Sequence, residues 1–275
     1  MNLLRRLSHL RAFGRLGRGS RLRTALRRLY CWWVTSPRGV EFSTLGLSFR
    51  MRGIDGEKLR FIESKILYGE QDFLVALRAG LRLGESALDV GAHQGEFTLP
   101  LAMMVGEKGR VLSFEPTVSA HQQLLDNLKL NGLTNVQVVR KALGVKDCES
   151  EIFSGGGRCP SLVAPENDLA YRSVRERIEI VQGDAFVARE SLPIPHAVKI
   201  DVEGFEYAVL QGLRATVANP RCRLMCLEIH HRLLPPGTST ETIMELLRSL
   251  GFGQFQTQLR GPELHVVATK PSHGL

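Results

Sequence analysis

Five cysteines in 275 residues, Cys31, Cys148, Cys159, Cys222 and Cys226, form neither a CxxC pair nor a cluster with histidine. Structural zinc and a disulfide framework are therefore not expected, and a reducing compartment is. Cys222 and Cys226 flank an apolar run and read as small buried thiols. Long apolar runs are also missing: "LYCWWV" has six residues, against roughly 20 needed to cross a bilayer, and it sits too late for an ordinary secretory segment. The phosphate-binding strings GxxxxGK[ST] and GxGxxG do not occur, which removes the usual P-loop and dinucleotide fingerprints. Nor does [DN]PP[YF], the string of amino-group methylators; "LLPPG" has neither the acid nor the aromatic.

Residues 1–40 lack both acids and lysine but hold ten arginines, so they carry +10 of a whole-chain +8 and leave −2 on residues 41–275. Leu3, Leu7 and Leu10 lie at helical spacing, as do Leu22, Leu26, Leu29 and Trp33, with Gly14, Gly17 and Gly19 between the two sets. Arginine opposite leucine and tryptophan suits an anionic membrane surface. Membrane-surface contact through residues 1–40 is the expected use of this arm, with a disordered or mis-started N-terminus, nucleic-acid contact or a cleaved transit segment as alternatives.

From about residue 70 strand and helix patterns alternate. "GEQDFLVALRAGL" is a helix, "SALDVG" a strand, "GEFTLPLAMMVG" a helix, "GRVLSFEP" a strand and "TVSAHQQLLDNLKLNG" a helix capped at Thr117 or Ser119 and stopped at Gly132. "NVQVVRKALG", "HAVKIDVEG" and "CRLMCLEIH" continue the strands, "FEYAVLQGLRATVAN" and "STETIMELLRSLG" the helices, and "FGQFQTQL" with "ELHVVATK" form a closing hairpin. Such alternation builds a mostly parallel sheet with helices on both faces, an α/β fold whose ligands bind at the carboxyl ends of the strands. The residues of chemical interest fall at those ends.

"LDVGAHQGEFTL" is a strand, a glycine turn and a helix. The second glycine of a dinucleotide fingerprint lets pyrophosphate reach the backbone, and here that place is taken by His93. Glu115, at the end of the next strand, can accept two ribose hydroxyls. An adenosine ligand without phosphate fits both facts. S-adenosylmethionine is such a ligand: Asp89 and the turn at Gly91, His93 and Gly95 serve its methionyl part, Glu115 its ribose, and Lys141–Ala142 its adenine.

"LDVGAHQGEFTLPLAMMVGEKGRVLSFEP", "NLKLNGLTNVQVVRKALG", "VKIDVEGFEYAVLQG" and "CLEIH", in this order between about residues 80 and 250, resemble the FkbM-type methyltransferases. The resemblance implies a class I, Rossmann-like fold with a seven-stranded, mostly parallel sheet whose last strand is antiparallel. It also implies methyl transfer from S-adenosylmethionine, typically to a hydroxyl of a sugar or secondary metabolite. The family's glycine-loop residues match Asp89, Gly91 and Gly95, and its ribose acid matches Glu115. The chain departs from the pattern at His93, where asparagine is common, and at "IEIVQGDAFVARE", where Asp184 only loosely replaces the usual "TLD". The expected division is a basic amphipathic arm over 1–45, an N-terminal helical cap over 46–83 and the methyltransferase domain over 84–271.

Methyl transfer to an alcohol gains about 10²–10⁴-fold from a positioned base. "KIDVEG" places Lys199, Asp201 and Glu203 on one side of a strand. Asp201 is expected beside the methionyl end of the cofactor or the methyl group, Glu203 toward substrate, and His230 of "EIHH" as a base near neutral pH. Lys199 with a carboxylate also reads as an ion pair that only shapes the loop. Asp201, Glu228 and His230 have the chemistry of divalent-metal ligands, yet nothing in their spacing demands a metal and none is expected. The glycine-rich "SGGGRCPSLVAP" is either an acceptor-binding lid or a plain hairpin loop. The expected acceptor is a small-molecule, glycan or lipid-linked hydroxyl, and the expected place is the cytoplasm, peripheral to a membrane. An RNA methyltransferase using the arginine arm, a nicotinamide oxidoreductase and a non-enzymatic scaffold are the competing readings.

Overall fold

The computed structural model describes residues 38–52, 71–155, 158–163 and 166–271. The amphipathic patterns of residues 1–37 lie outside them, so the membrane contact expected of the arm does too. No helix among the described residues is long and apolar enough to cross a membrane.

Seven strands make the central sheet: β3 (Ser86–Val90), β4 (Arg110–Phe114), β5 (Val136–Val139), β10 (Ala197–Ile200), β11 (Leu224–Ile229), β12 (Gln254–Arg260) and β13 (Glu263–Thr269). Their order is β12-β13-β11-β10-β3-β4-β5, all parallel except β13, which runs antiparallel to both of its neighbours. The closing hairpin expected from the sequence is β12–β13. Strands β3, β10 and β11 are buried along their whole length, because helices cover both faces; such strands read as continuous apolar runs.

Helices α1 (Gln71–Gly80), α2 (Thr98–Val105) and α3 (Val118–Leu130) cover one face, where Phe73, Leu77, Leu99 and Leu124 share a core. Helices α4 (Gly183–Arg189), α5 (Glu206–Gly212), α6 (Arg214–Ala218) and α7 (Thr240–Ser249) cover the other, around Phe186, Leu210, Val217 and Leu247. The single helix expected over 205–219 breaks into α5 and α6. A Cβ on Gly212 would lie 1.9 Å from the Gly144 carbonyl oxygen, so chain crowding fixes glycine at the break. Asp184 then accepts hydrogen bonds from the Ala215 and Thr216 amides, each 2.8 Å, at the first turn of α6.

Two regions depart from the sequence reading. Residues 46–51, expected to begin a helical cap, belong instead to a hairpin of β1 (Val40–Thr44) and β2 (Leu47–Met51), whose turn spans the boundary drawn at residue 45. Asn131 on α3 exchanges two hydrogen bonds with the Arg50 backbone and Asn127 accepts from the Arg52 amide, so side-chain amides substitute for a strand edge. The third strand pattern also divides. Val136–Val139 stays in the main sheet, while β6 (Ala142–Gly144) joins a second sheet, ordered β6-β9-β7-β8, with β7 (Cys148–Gly155), β8 (Arg158–Ser161) and β9 (Val174–Gln182). The glycine-rich stretch is thus the β7–β8 connection and its flanks. This insert is shallow and half exposed, which is why no long apolar run announces it.

Candidate active site

The carboxyl ends of β3, β4 and β10 open into a cleft roofed by the β insert. Gly91, His93, Glu96, Glu115, Asp201 and Glu203 line it together with Lys141 and Lys199, and Phe114, Ala142, Ile152, Leu162 and Phe205 supply apolar wall. Of the site residues expected from sequence, Gly91, His93, Glu115, Ala142, Asp201 and Glu203 reach this cleft. Asp89, Gly95 and His230 do not line it.

The glycine turn is shaped by the strand beside it. Gly91 has φ +78°, and a Cβ there would lie 1.8 Å from the Asp201 carbonyl oxygen. Gly95, at φ +101°, has Leu124 where its Cβ would be, 2.7 Å away; it serves the packing of α3 rather than the cleft. His93 also has positive φ (47°). Its amide donates to Glu115 Oε2 (2.9 Å) and its Nδ1 meets Glu96 Oε1 at 2.8 Å.

Asp89 sits beneath the turn, fully buried, where Thr98 Oγ1 donates to Oδ2 at 2.6 Å. Lys199, 3% exposed, donates from Nζ to the Gly91 carbonyl (3.0 Å) and stands 3.5 Å from Asp89 Oδ1 and 3.7 Å from Asp201 Oδ2. Burial lifts the Asp89 pKa above the usual carboxylate range, and the Lys199 ammonium opposes that rise most. The lysine therefore ties the base of β3 to the loop after β10, as the ion-pair reading of "KIDVEG" expects.

Glu115 is buried, with Thr117 donating to Oε1 from both its amide (2.9 Å) and its hydroxyl (2.6 Å). Burial raises its pKa, and His93 and Thr117 pull the other way. Thr117 precedes α3 as expected, but its hydroxyl serves Glu115 instead of capping the helix.

His230 closes the cluster behind the cleft. Its Nδ1 lies 2.8 Å from Glu206 Oε1, and its Nε2 lies 3.4 Å from Glu203 Oε2 and 3.8 Å from Asp201 Oδ1. Burial works against its charge, but Glu206, Asp201 and Glu203 outweigh burial and push its pKa up to about 10. A shift of that direction and size favours the protonated imidazole at neutral pH, against the free base expected of it. Glu228, whose residue type matched Asp201 and His230 as a metal ligand although no metal was expected, points elsewhere: it pairs with His265 Nε2 at 3.4 Å. Glu203 takes its place, carried there by a backbone at φ +50° and held where Ser161 Oγ donates to its carbonyl (2.6 Å).

Glu96, Glu206 and the apolar roof were not singled out from sequence. Glu206 follows Glu203 by three residues in "EGFE", and a fully buried acid opening a helix is the signal that was there to find.

The donor set fits an adenosine sulfonium. Four carboxylates against two lysines line the cleft, which favours a cationic ligand and opposes a pyrophosphate. Glu115 has acceptor capacity at the wall for ribose hydroxyls, and the apolar wall with a few convergent polar groups is the usual make-up of a small-molecule site.

The sequence profile of the methyltransferase FkbM domain matches residues 89–253. The chain belongs to the FkbM methyltransferases. Its cofactor is accordingly S-adenosylmethionine. Over 238 residues it is 24% identical to the hexuronic acid methyltransferase AglP of Haloferax volcanii, covering 86% of this chain and 90% of that protein. It is 32% identical over 91 residues to the 23S rRNA (uracil(1939)-C(5))-methyltransferase RlmD of Psychrobacter arcticus, but spans only 18% of that protein's length. Among solved structures it is similar to a putative rRNA methylase from Clostridium thermocellum (TM-score 0.46, 15% identity, 74% of this chain and 96% of that one). It is similar also to Aeropyrum pernix fibrillarin with bound S-adenosylmethionine (TM-score 0.44, 14% identity, 84% and 82%).

Proposed function

We propose that this FkbM methyltransferase methylates an oxygen of a sugar, free, glycan-borne or lipid-linked. The observation that carries the reading is the pair of carboxylates, Asp201 and Glu203, at the cleft wall beside the glycine turn, backed by a cationic His230. The likeness to a hexuronic acid methyltransferase along most of both chains supports the substrate class.

S-adenosylmethionine supplies an electrophilic methyl group on a good leaving group. The protein's part is alignment, worth several kcal/mol when reacting atoms are held in line, and removal of one proton. Lys199 fixes the turn against β10 through Gly91 and Asp201, so the cofactor seat and the acceptor side move as one body. Asp201 and Glu203 are the groups to receive the hydroxyl proton, and His230 holds them in place. A uronic acid offers a second nucleophile, its carboxylate oxygen, which needs no base.

Calorimetry with S-adenosylmethionine and with NAD tests the cofactor seat. The first binds and the second does not, and Glu115→Ala weakens binding by about tenfold or more, as expected for losing a charged hydrogen-bond partner. Labelled-methyl transfer to uronic-acid sugars, lipid-linked glycans and RNA tests the acceptor. Label confined to RNA would refute the sugar reading.

A further inference from the structure

The cluster behind the cleft combines two carboxylates and an imidazole. One oxygen each of Asp201 and Glu203 and one nitrogen of His230 all lie within 4.8 Å of one another. Two of these separations are 3.4 Å and 3.8 Å. Ligand atoms held about 2.0–2.2 Å from a cation at angles near 90–110° sit about 3.0–3.5 Å apart. The three groups need only a small inward movement to share one ion.

Three further features point the same way. His230 is 6% exposed, and its far nitrogen is held by Glu206, which is fully buried. A carboxylate on the remote nitrogen is the usual support of a metal-ligating histidine, since it fixes the ring's orientation. Carboxylates are also concentrated here: Asp89, Asp201, Glu203 and Glu206 each lie within 4 Å of Lys199 or His230, and carboxylate oxygens are the usual ligands of hard divalent cations. Finally, Asp201 and Glu203 face the cleft while His230 stands behind them, so an ion among the three has its remaining coordination positions open toward the acceptor.

We propose that Asp201, Glu203 and His230 bind one divalent cation of the Mg²⁺ or Mn²⁺ class, which displaces the proton on His230 Nε2 into solvent and whose open positions take acceptor oxygens. The cation site stands on its own geometry; only the coordination of acceptor oxygens rests on the sugar reading. Two carboxylates and one imidazole suit Mn²⁺, with Mg²⁺ favoured by availability. This replaces the metal-free expectation drawn from sequence, where Glu228 stood in the place that Glu203 occupies.

The test is a Mn²⁺ titration of the full chain followed by electron paramagnetic resonance, with Mg²⁺ as competitor. One Mn²⁺ should bind per chain and be displaced by Mg²⁺. Glu203→Gln and His230→Gln should abolish binding, and Glu206→Gln should weaken it by about 10–100-fold. Calorimetry with S-adenosylmethionine on the same variants confirms that each is folded. No Mn²⁺ binding to the wild type, or unchanged binding in a folded His230→Gln variant, overturns the site and leaves the cluster an imidazolium held by acids. The two readings fail separately. Stoichiometric Mn²⁺ with label reaching only RNA keeps the cation and removes the sugar, whereas sugar methylation that survives EDTA with no bound Mn²⁺ does the reverse.

Discussion

Replacing Lys199 with methionine isolates what the buried ammonium does. Methionine keeps most of the volume and the contact with Phe97, whose ring centroid lies 5.0 Å from Nζ, so the packing cost is small. What disappears is a hydrogen bond from a charged donor to the Gly91 carbonyl, worth about 1.5–3 kcal/mol. The counter-charge to Asp89 and Asp201 goes with it, and removing one partner of a buried pair typically costs about 3–5 kcal/mol. Asp89 limits the damage. Burial already lifts its pKa and Lys199 is the strongest opposing influence, so in the variant the pKa rises further and the carboxyl takes up a proton more readily, which relieves part of the orphan charge. A loss of about 3 kcal/mol at pH 7.5, near the lower end of the pair-breaking range, is the expected outcome. The sign with pH follows. Asp89 in the folded variant then titrates above its unfolded value, so the variant binds more protons folded than unfolded, and its deficit grows from pH 5 to pH 7.5. Urea denaturation of both proteins at the two pH values, with the slope m checked for constancy, measures this. Asp89→Asn in the Lys199→Met background should recover part of the loss, giving a coupling between the two sites. A deficit under about 1 kcal/mol, or one that does not change with pH, would refute the electrostatic account.

Two other outcomes are expected. Gly91→Ala puts a Cβ 1.8 Å from the Asp201 carbonyl oxygen at φ +78°, so it should lose at least about 2 kcal/mol of stability together with S-adenosylmethionine binding; normal calorimetry would contradict this. Asp72 on α1 and Glu228 on β11 hold His265, with Arg260 beside Asp72, and they push the imidazole pKa up to about 9 against the burial that opposes its charge. Its contribution is fully present below pH 6.5 and is lost as pH rises through 9. The shift caps the effect near 3 kcal/mol, and screening at the partly exposed Asp72 leaves about 1–2 kcal/mol to be lost between pH 7 and 9.5; His265→Gln should flatten that decline in denaturation curves.

The legible parts of the sequence were those where one local pattern has one physical outcome. β3, β10 and β11 are covered on both faces, so "SALDV", "AVKI" and "LMCLEI" read as short, mostly apolar runs, each broken by one charged residue. The turn at Gly91 was readable because a glycine between a buried strand and a helix has few other uses. Lys199 was readable as one end of an ion pair. The insert was not legible, because β7 and β9 are half exposed and interrupt their alternation with paired charges such as Arg175 and Glu176. The hairpin β1–β2 escaped because its anchors, Asn127 and Asn131, lie some 80 residues away on a helix. His230 illustrates the deeper limit. Its position was correctly taken as the end of a strand, but its protonation depends on three acids whose convergence only the fold reveals, one of them unremarked in sequence.

The antiparallel strand β13 sits between β11 and β12, so the strand that follows β12 in the chain enters the interior of the described sheet instead of adding to its edge. During synthesis β11 presents a bare edge, and β12 has no neighbour to zip against, until residues 263–269 have left the ribosome. Closure of the sheet is thus a late event, and a chain halted near residue 260 would expose a ladder of unpaired amides and carbonyls ready to recruit another chain.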